Sequence, residues 1–254
     1  MKRVIVFLTI ISILLGSFGI YLCKNYELPI LMYHSIDSEK VNTYAAVSKD
    51  VFYKQMKFIK DKGYQVISLA NYCKILKNNE SIPKKSLIIT FDDGYADNLK
   101  AVEILKEFNF SATFFLIVNK IGEPGYLSYE DVGKLLKDSR LTIGTHTLNE
   151  VYLPEASNEE LKDEITLAKL RLGELFNQDI ETTSYTIGGF DARTIKEVKS
   201  AGYLCACTTN RGFSKWIDRY ALRRIKITNR DKDFKLWAKL SGLYNVFRRL
   251  RNPH

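Results

Sequence analysis

The amino-acid sequence predicts an α/β fold built on a parallel sheet of about seven strand–helix units. Short apolar runs alternate with helical periodicities through the middle of the chain. Several runs end directly in carboxylate or imidazole residues, as strands do where the loops of a parallel sheet collect a site. No 20–50-residue repeat or low-complexity tract points to a solenoid instead.

At the start of the chain, Val4 to Cys23 is an uncharged run of about 20 residues behind Lys2 and Arg3. At ~1.5 Å per helical residue it can span a bilayer core of roughly 30 Å. The cationic start would keep Lys2 and Arg3 in the cytoplasm and put the remainder outside. A cleaved signal peptide is the rival reading, but its apolar core is shorter, about 7–15 residues, and precedes a small-x-small cleavage site. Length favours an uncleaved anchor.

Leu28–His34 is a short apolar run starting at a proline, read as a first buried strand with His34 at its end. Val51–Lys62 repeats apolar residues at Val51, Phe52, Met56 and Ile59, a helix closed by Gly63. Gln65–Leu69 reads as extended. Ser86–Phe91 is the clearest buried strand, and it runs straight into Asp92-Asp93-Gly94-Tyr95. Ala96–Phe108 is an amphipathic helix, Ala112–Val118 a strand, Tyr129–Lys137 a helix, and Leu141–Gly144 a strand leading to His146. Glu159–Phe176 is a long helix, Ser184–Ile187 extended, Ala192–Ala201 helical and Leu204–Thr208 a strand.

In Phe234–Arg251, apolar residues at three- and four-residue spacing alternate with Lys235, Lys239, Arg248, Arg249 and Arg251. This reads either as a terminal helix packed on the domain or as an interfacial helix on anionic lipid. Three segments follow: an anchor over 1–25, a catalytic-size domain over 26–230, and a basic amphipathic tail over 231–254.

Composition excludes disorder, with 46% hydrophobic and 26% charged residues. The net charge of +9 favours anionic surroundings without choosing among lipid head groups, acidic glycans and nucleic acid. No nucleic-acid recognition module accompanies it, so nucleic acid is not the expected partner. Cys23 lies in the N-terminal run, leaving Cys73, Cys205 and Cys207. An i, i+2 pair in a strand is poorly placed for a bridge, and a zinc ribbon lacks its second ligand pair. All three are expected to be free structural thiols.

Adjacent carboxylates after a buried strand, followed by a glycine that permits a tight turn, can point one way at a cation and another way at a reacting water. The plainer alternative is that one aspartate caps the helix that follows. His34 and His146 must carry any imidazole chemistry, because the remaining histidine, His254, is the terminus.

Thr90-Phe91-Asp92-Asp93-Gly94-Tyr95 resembles the first signature of the polysaccharide deacetylases, and Gly144-Thr145-His146-Thr147-Leu148 resembles their second. Leu31-Met32-Tyr33-His34-Ser35-Ile36 is similar to the opening of a subset acting on poly-N-acetylglucosamine. Looser matches follow at Gly188–Asp191, Gly202–Gly212 and Leu222-Arg223-Arg224-Ile225, in the expected order over roughly residues 28–228.

The resemblance implies a distorted (β/α) barrel that hydrolyses N-acetyl groups on an amino-sugar polysaccharide or lipid-linked glycan with a divalent metal, usually zinc. Asp92 would be the general base, Asp93 and His146 metal ligands, and His34 the general acid. The second signature normally supplies a further histidine where this chain has Glu150, so Asp93, His146 and Glu150 would form the metal triad. Oxygen-rich ligation would favour a harder metal such as manganese. The third signature normally brings a proline and an arginine near 183–190. Thr186 replaces the proline and no arginine precedes it nearby, so the group orienting the catalytic aspartate is missing or comes from elsewhere. These departures keep open a catalytically impaired glycan-binding relative as the alternative.

Overall fold

Strands that read as unbroken apolar runs are buried on both faces in the computed structural model. The structure describes residues 2–24, 27–37, 45–210 and 217–246. Expectations for residues 211–212 and 247–254, His254 among them, lie outside the described residues.

The strands are β1 (Ile30–Tyr33), β2 (Gln65–Val66), β3 (Ser86–Phe91), β4 (Ala112–Leu116), β5 (Leu141–Thr145), β6 (Thr182–Ser184), β7 (Cys205–Cys207) and β8 (Ile225–Lys226). They form one parallel sheet in the order β7-β6-β5-β4-β3-β1-β8, with β2 beside β3. Register is set by apolar pairs such as Ile30 with Ile88 and Phe114 with Ile143. The sheet curls into a half-barrel. Its ends approach through residues 222–226, where Leu222 bridges Cys207 and Ile225 pairs with Leu31.

Helices of the domain cover the outside and bury one stripe, such as Val51, Phe52, Met56 and Ile59 of Lys49–Asp61. The Ala96–Phe108 helix opens with a 3-10 turn over Ala96–Asn98. The long helix starts at Asn158 and contains a π turn over Asp163–Leu167. Strand β6 stops at Ser184, and a 3-10 turn takes Thr186–Gly188 where an extended segment was expected. The helix Leu69–Asn78, capped by Ser68 and ended by left-handed Asn79, was not expected.

That helix overturns the expectation of free thiols. Cys73 on it is disulfide-bonded to Cys205 of β7 with Cα atoms 6.0 Å apart, while Cys207 is free and buried. The poor geometry of the Cys205/Cys207 pair did not bear on a partner 132 residues away in sequence.

A helix spans Lys2–Lys24, with exposed Val4, Ile5, Phe7, Leu8 and Ile13. Among the described residues no helix is long and apolar enough to cross a membrane. A spanning helix is therefore not carried by the structure. At the other end, Asp233–Leu240 packs on the domain with Leu236 and Leu240 fully buried, and Leu243–Val246 follows.

Candidate active site

The two aspartates after β3 part company because the backbone turns sharply between them. Asp93 and Gly94 are both left-handed, at φ 71° and 77°. At position 94 that conformation favours glycine, and a Cβ there would also lie 2.8 Å from the Leu116 side chain. Neither aspartate caps the next helix: its 3-10 turn begins after Tyr95, with no side-chain cap bond.

Asp92 faces inward, 2% exposed. Arg224, itself 1% exposed, donates from Nη1 to Asp92 Oδ1 and from Nη2 to Oδ2, both at 2.6 Å. The guanidinium also donates to Ser184 Oγ, Thr90 Oγ1 and the Thr208 carbonyl. Burial alone would push the Asp92 carboxyl up, but Arg224 and then His146 outweigh it and hold it at about 2. A buried charge needs such a partner. The arginine missing from the 183–190 stretch is thus supplied from the opposite end of the sheet, beside β8.

Asp93 is less enclosed. Its Oδ1 lies 3.4 Å from His146 Nε2. His146 Nδ1 is 2.9 Å from the Ser184 carbonyl, an acceptor only, so Nδ1 carries the proton and Nε2 keeps a lone pair in the neutral ring. Burial lowers the affinity of His146 for a second proton, but Asp92 and Asp93 outweigh it and raise the ring above its ordinary value.

His34 follows β1 and is fixed by its backbone: Asn98 Nδ2 donates to its carbonyl, while Asp97 accepts from Ser35 Oγ and Ile36 N. Its Nδ1 is buried without a protein partner. Burial lowers its pKa, partly offset by Asp92 and Asp93.

Glu150 is less enclosed than this pair. It is exposed, in a left-handed conformation at φ 68°, at the end of a loop in which Thr147 is also left-handed. Buried Glu164, in the π turn, holds that loop by accepting from Leu148 N, Asn149 N and Asn149 Nδ2. No group of three or more His, Cys, Asp or Glu poised for a metal occurs among the described residues. Asp93 and His146 nevertheless fit a metal as two ligands: their 3.4 Å separation matches the edge, about 3.4 Å, of a tetrahedron with bonds near 2.1 Å. Thr186, in the proline's place, is buried and bonded to Thr147 through their hydroxyls at 3.1 Å. Beside it, Ile187 is left-handed at φ 57° and 71% exposed, a strained conformation for a β-branched residue.

Arg224, Glu164, Ser184 and Thr90 were not singled out as site residues from the sequence. The one signal for Arg224 was the loose match at 222–225, together with the need of a buried Asp92 for a cation.

A parallel α/β half-barrel with an Asp–Arg pair, an Asp–His pair and a second histidine gathered at its strand ends has the layout of a hydrolase. The polysaccharide deacetylase family model matches residues 79–206, and the chain belongs to that family. YxkH of Bacillus subtilis (strain 168), named for the same family, is 31% identical over 81% of this chain and 73% of its own. The structure of the Streptococcus pyogenes deacetylase PplD in complex with acetate superposes with a TM-score of 0.78 at 28% identity, covering 85% of this chain and 99% of that one. The poly-beta-1,6-N-acetyl-D-glucosamine N-deacetylase of Escherichia coli (strain K12) is 19% identical over 78% of this chain, which spans 36% of that protein.

Proposed function

We propose that this protein removes N-acetyl groups from an amino-sugar glycan on the outer side of the cytoplasmic membrane. The observation that carries the reading is the division of one Asp-Asp dipeptide into an Asp92–Arg224 pair and an Asp93–His146 pair, beside an unpartnered His34 nitrogen.

Asp93 Oδ1 and His146 Nε2 are the residues that would hold a divalent cation, zinc first and manganese as the harder alternative. Bound there, it would supply the Lewis acidity that makes the attacking water acidic and polarises the acetyl carbonyl. Asp92, locked in orientation by Arg224, takes the proton of that water, and His34 gives a proton to the departing amine. Arg224 keeps the Asp92 carboxylate ionised between turnovers.

Location rests on two features. The uncharged Val4–Cys23 run behind Lys2 and Arg3 suits a membrane anchor, and the Cys73–Cys205 disulfide suits an oxidising compartment. The E. coli relative's name makes polymers of N-acetylglucosamine the first substrate class to assay.

The test is amine release from N-acetylglucosamine oligomers by purified protein, with and without added zinc or manganese. Metal-dependent release supports the proposal. Metal-loaded protein that binds the oligomers but releases no amine would instead identify a glycan-binding relative. A reporter active only outside the cytoplasm, fused after His254, checks the location, and signal from a cytoplasmic reporter alone would refute it.

A further inference from the structure

Arg224 immediately precedes β8, a strand of only two residues at the end of the sheet, whose ladder with β1 is short. Its guanidinium is bonded to Thr90, Ser184 and Thr208, and Ile227 N donates to the Met32 carbonyl; the backbone after it is held further by a buried polar cluster contributed by the C-terminal segment. Lys239, 7% exposed on the helix Asp233–Leu240, donates from Nζ to the Lys226 carbonyl at 2.7 Å and to Asp231 Oδ2 at 2.8 Å. Asp231, 5% exposed, accepts on the same oxygen from Thr228 N and Thr228 Oγ1. Gln55 Nε2 donates to the Thr228 and Asp231 carbonyls, and Gln55 Oε1 accepts from Tyr33 OH. The cluster therefore grips the chain two residues after Arg224 and, through Tyr33, one residue before His34.

We infer that Lys239 is a positioning residue that holds β8, and through it Arg224, in register with Asp92. A buried ammonium is costly to desolvate, and for fastening the helix alone an apolar side chain would serve as well. Lys239 reaches the Lys226 carbonyl and Asp231 together, fixing the strand and the loop after it as one unit. The segment lies beyond residues 79–206 matched by the family model. Its catalytic consequence rests on the proposed deacetylation, but its effect on Arg224 does not.

The test uses the full chain with Lys239→Met, Lys239→Arg, Arg224→Ala and the Arg224→Ala/Lys239→Met pair. The first readout is the Arg224 Nε–H resonance, which the inference expects to be protected from exchange in the wild type and in Lys239→Arg but lost in folded Lys239→Met. The second is turnover: Lys239→Met should lower kcat about 10-fold or more with KM within 2-fold, and Lys239→Arg should recover most of it. In the Arg224→Ala background, Lys239→Met should produce no further loss, because both changes remove the same alignment. A protected Arg224 resonance in Lys239→Met, or a loss of kcat that adds to that of Arg224→Ala, would overturn the inference. If no variant, wild type included, turns over, the deacetylase reading fails, and the resonance still decides the role of Lys239.

Discussion

Two neighbouring aspartates on one strand end meet opposite surroundings. Asp92 is sealed, with both oxygens bonded to Arg224 at 2.6 Å. Asp93 stands 3.4 Å from His146, too far for a strong hydrogen bond and right for two ligands of one ion. A closed pair fixes the direction of a carboxylate, whereas an open pair leaves room for a third party. That contrast is the physical basis of the proposal that Asp92 transfers the proton and Asp93 ligates the metal.

The contrast can be broken most forcefully at Asp92. Asp92→Asn should lower kcat by roughly 10²–10⁴-fold, the range for a positioned general base, measured as amine release on protein shown by circular dichroism to be folded.

Arg224→Met should cost about 3–5 kcal/mol in denaturant unfolding, since it leaves a buried carboxylate unpaired. The double variant Asp92→Asn/Arg224→Met removes both charges and should regain most of that stability while remaining inactive. If the double variant is as unstable as the single one, the pair is not what makes position 224 sensitive. The sign with pH follows: the folded value of Asp92 near 2 lies below the unfolded value near 4. The pair's contribution is present above about pH 4 and is lost as pH falls toward 2, a slope that Arg224→Met should lack.

On the open side, His146→Ala should abolish stoichiometric metal binding, while Glu150→Ala should weaken it less than about tenfold, because Glu150 is exposed where His146 is buried. A loss with Glu150→Ala as large as with His146→Ala, by calorimetric titration, would support the triad read from the sequence.

The smallest effect concerns the rim. Ile187→Asn should raise stability by about 0.5–1 kcal/mol, because asparagine tolerates the left-handed conformation and little packing is lost at an exposed side chain. A fall in Tm would show that Ile187 is held there by contacts worth more than its strain.

The closed and open pairs were not equally legible in the sequence. Ser86–Phe91 is a six-residue strand buried on both faces, and its end in Asp-Asp-Gly located Asp92 and Asp93 without ambiguity. His146 was found for the same reason, at the end of β5. Arg224 was hidden because β8 is too short to show alternation and its partner lies 132 residues away. Glu150 was read from spacing alone, and spacing within a loop fixes no direction: Thr147 and Glu150 are both left-handed, and Glu150 is exposed. Cys73 was unpaired in expectation because the helix that carries it to β7 went unread, its apolar stripe of Leu69, Tyr72, Cys73 and Ile75 being short.

The division of labour between the two aspartates is tested most directly by metal titration of the wild type, folded Asp92→Asn and folded Asp93→Ala, followed calorimetrically with zinc. The account predicts one equivalent for the wild type and for Asp92→Asn, and none for Asp93→Ala. Zinc retained by Asp93→Ala and lost by Asp92→Asn would reverse the roles of the two residues and contradict it.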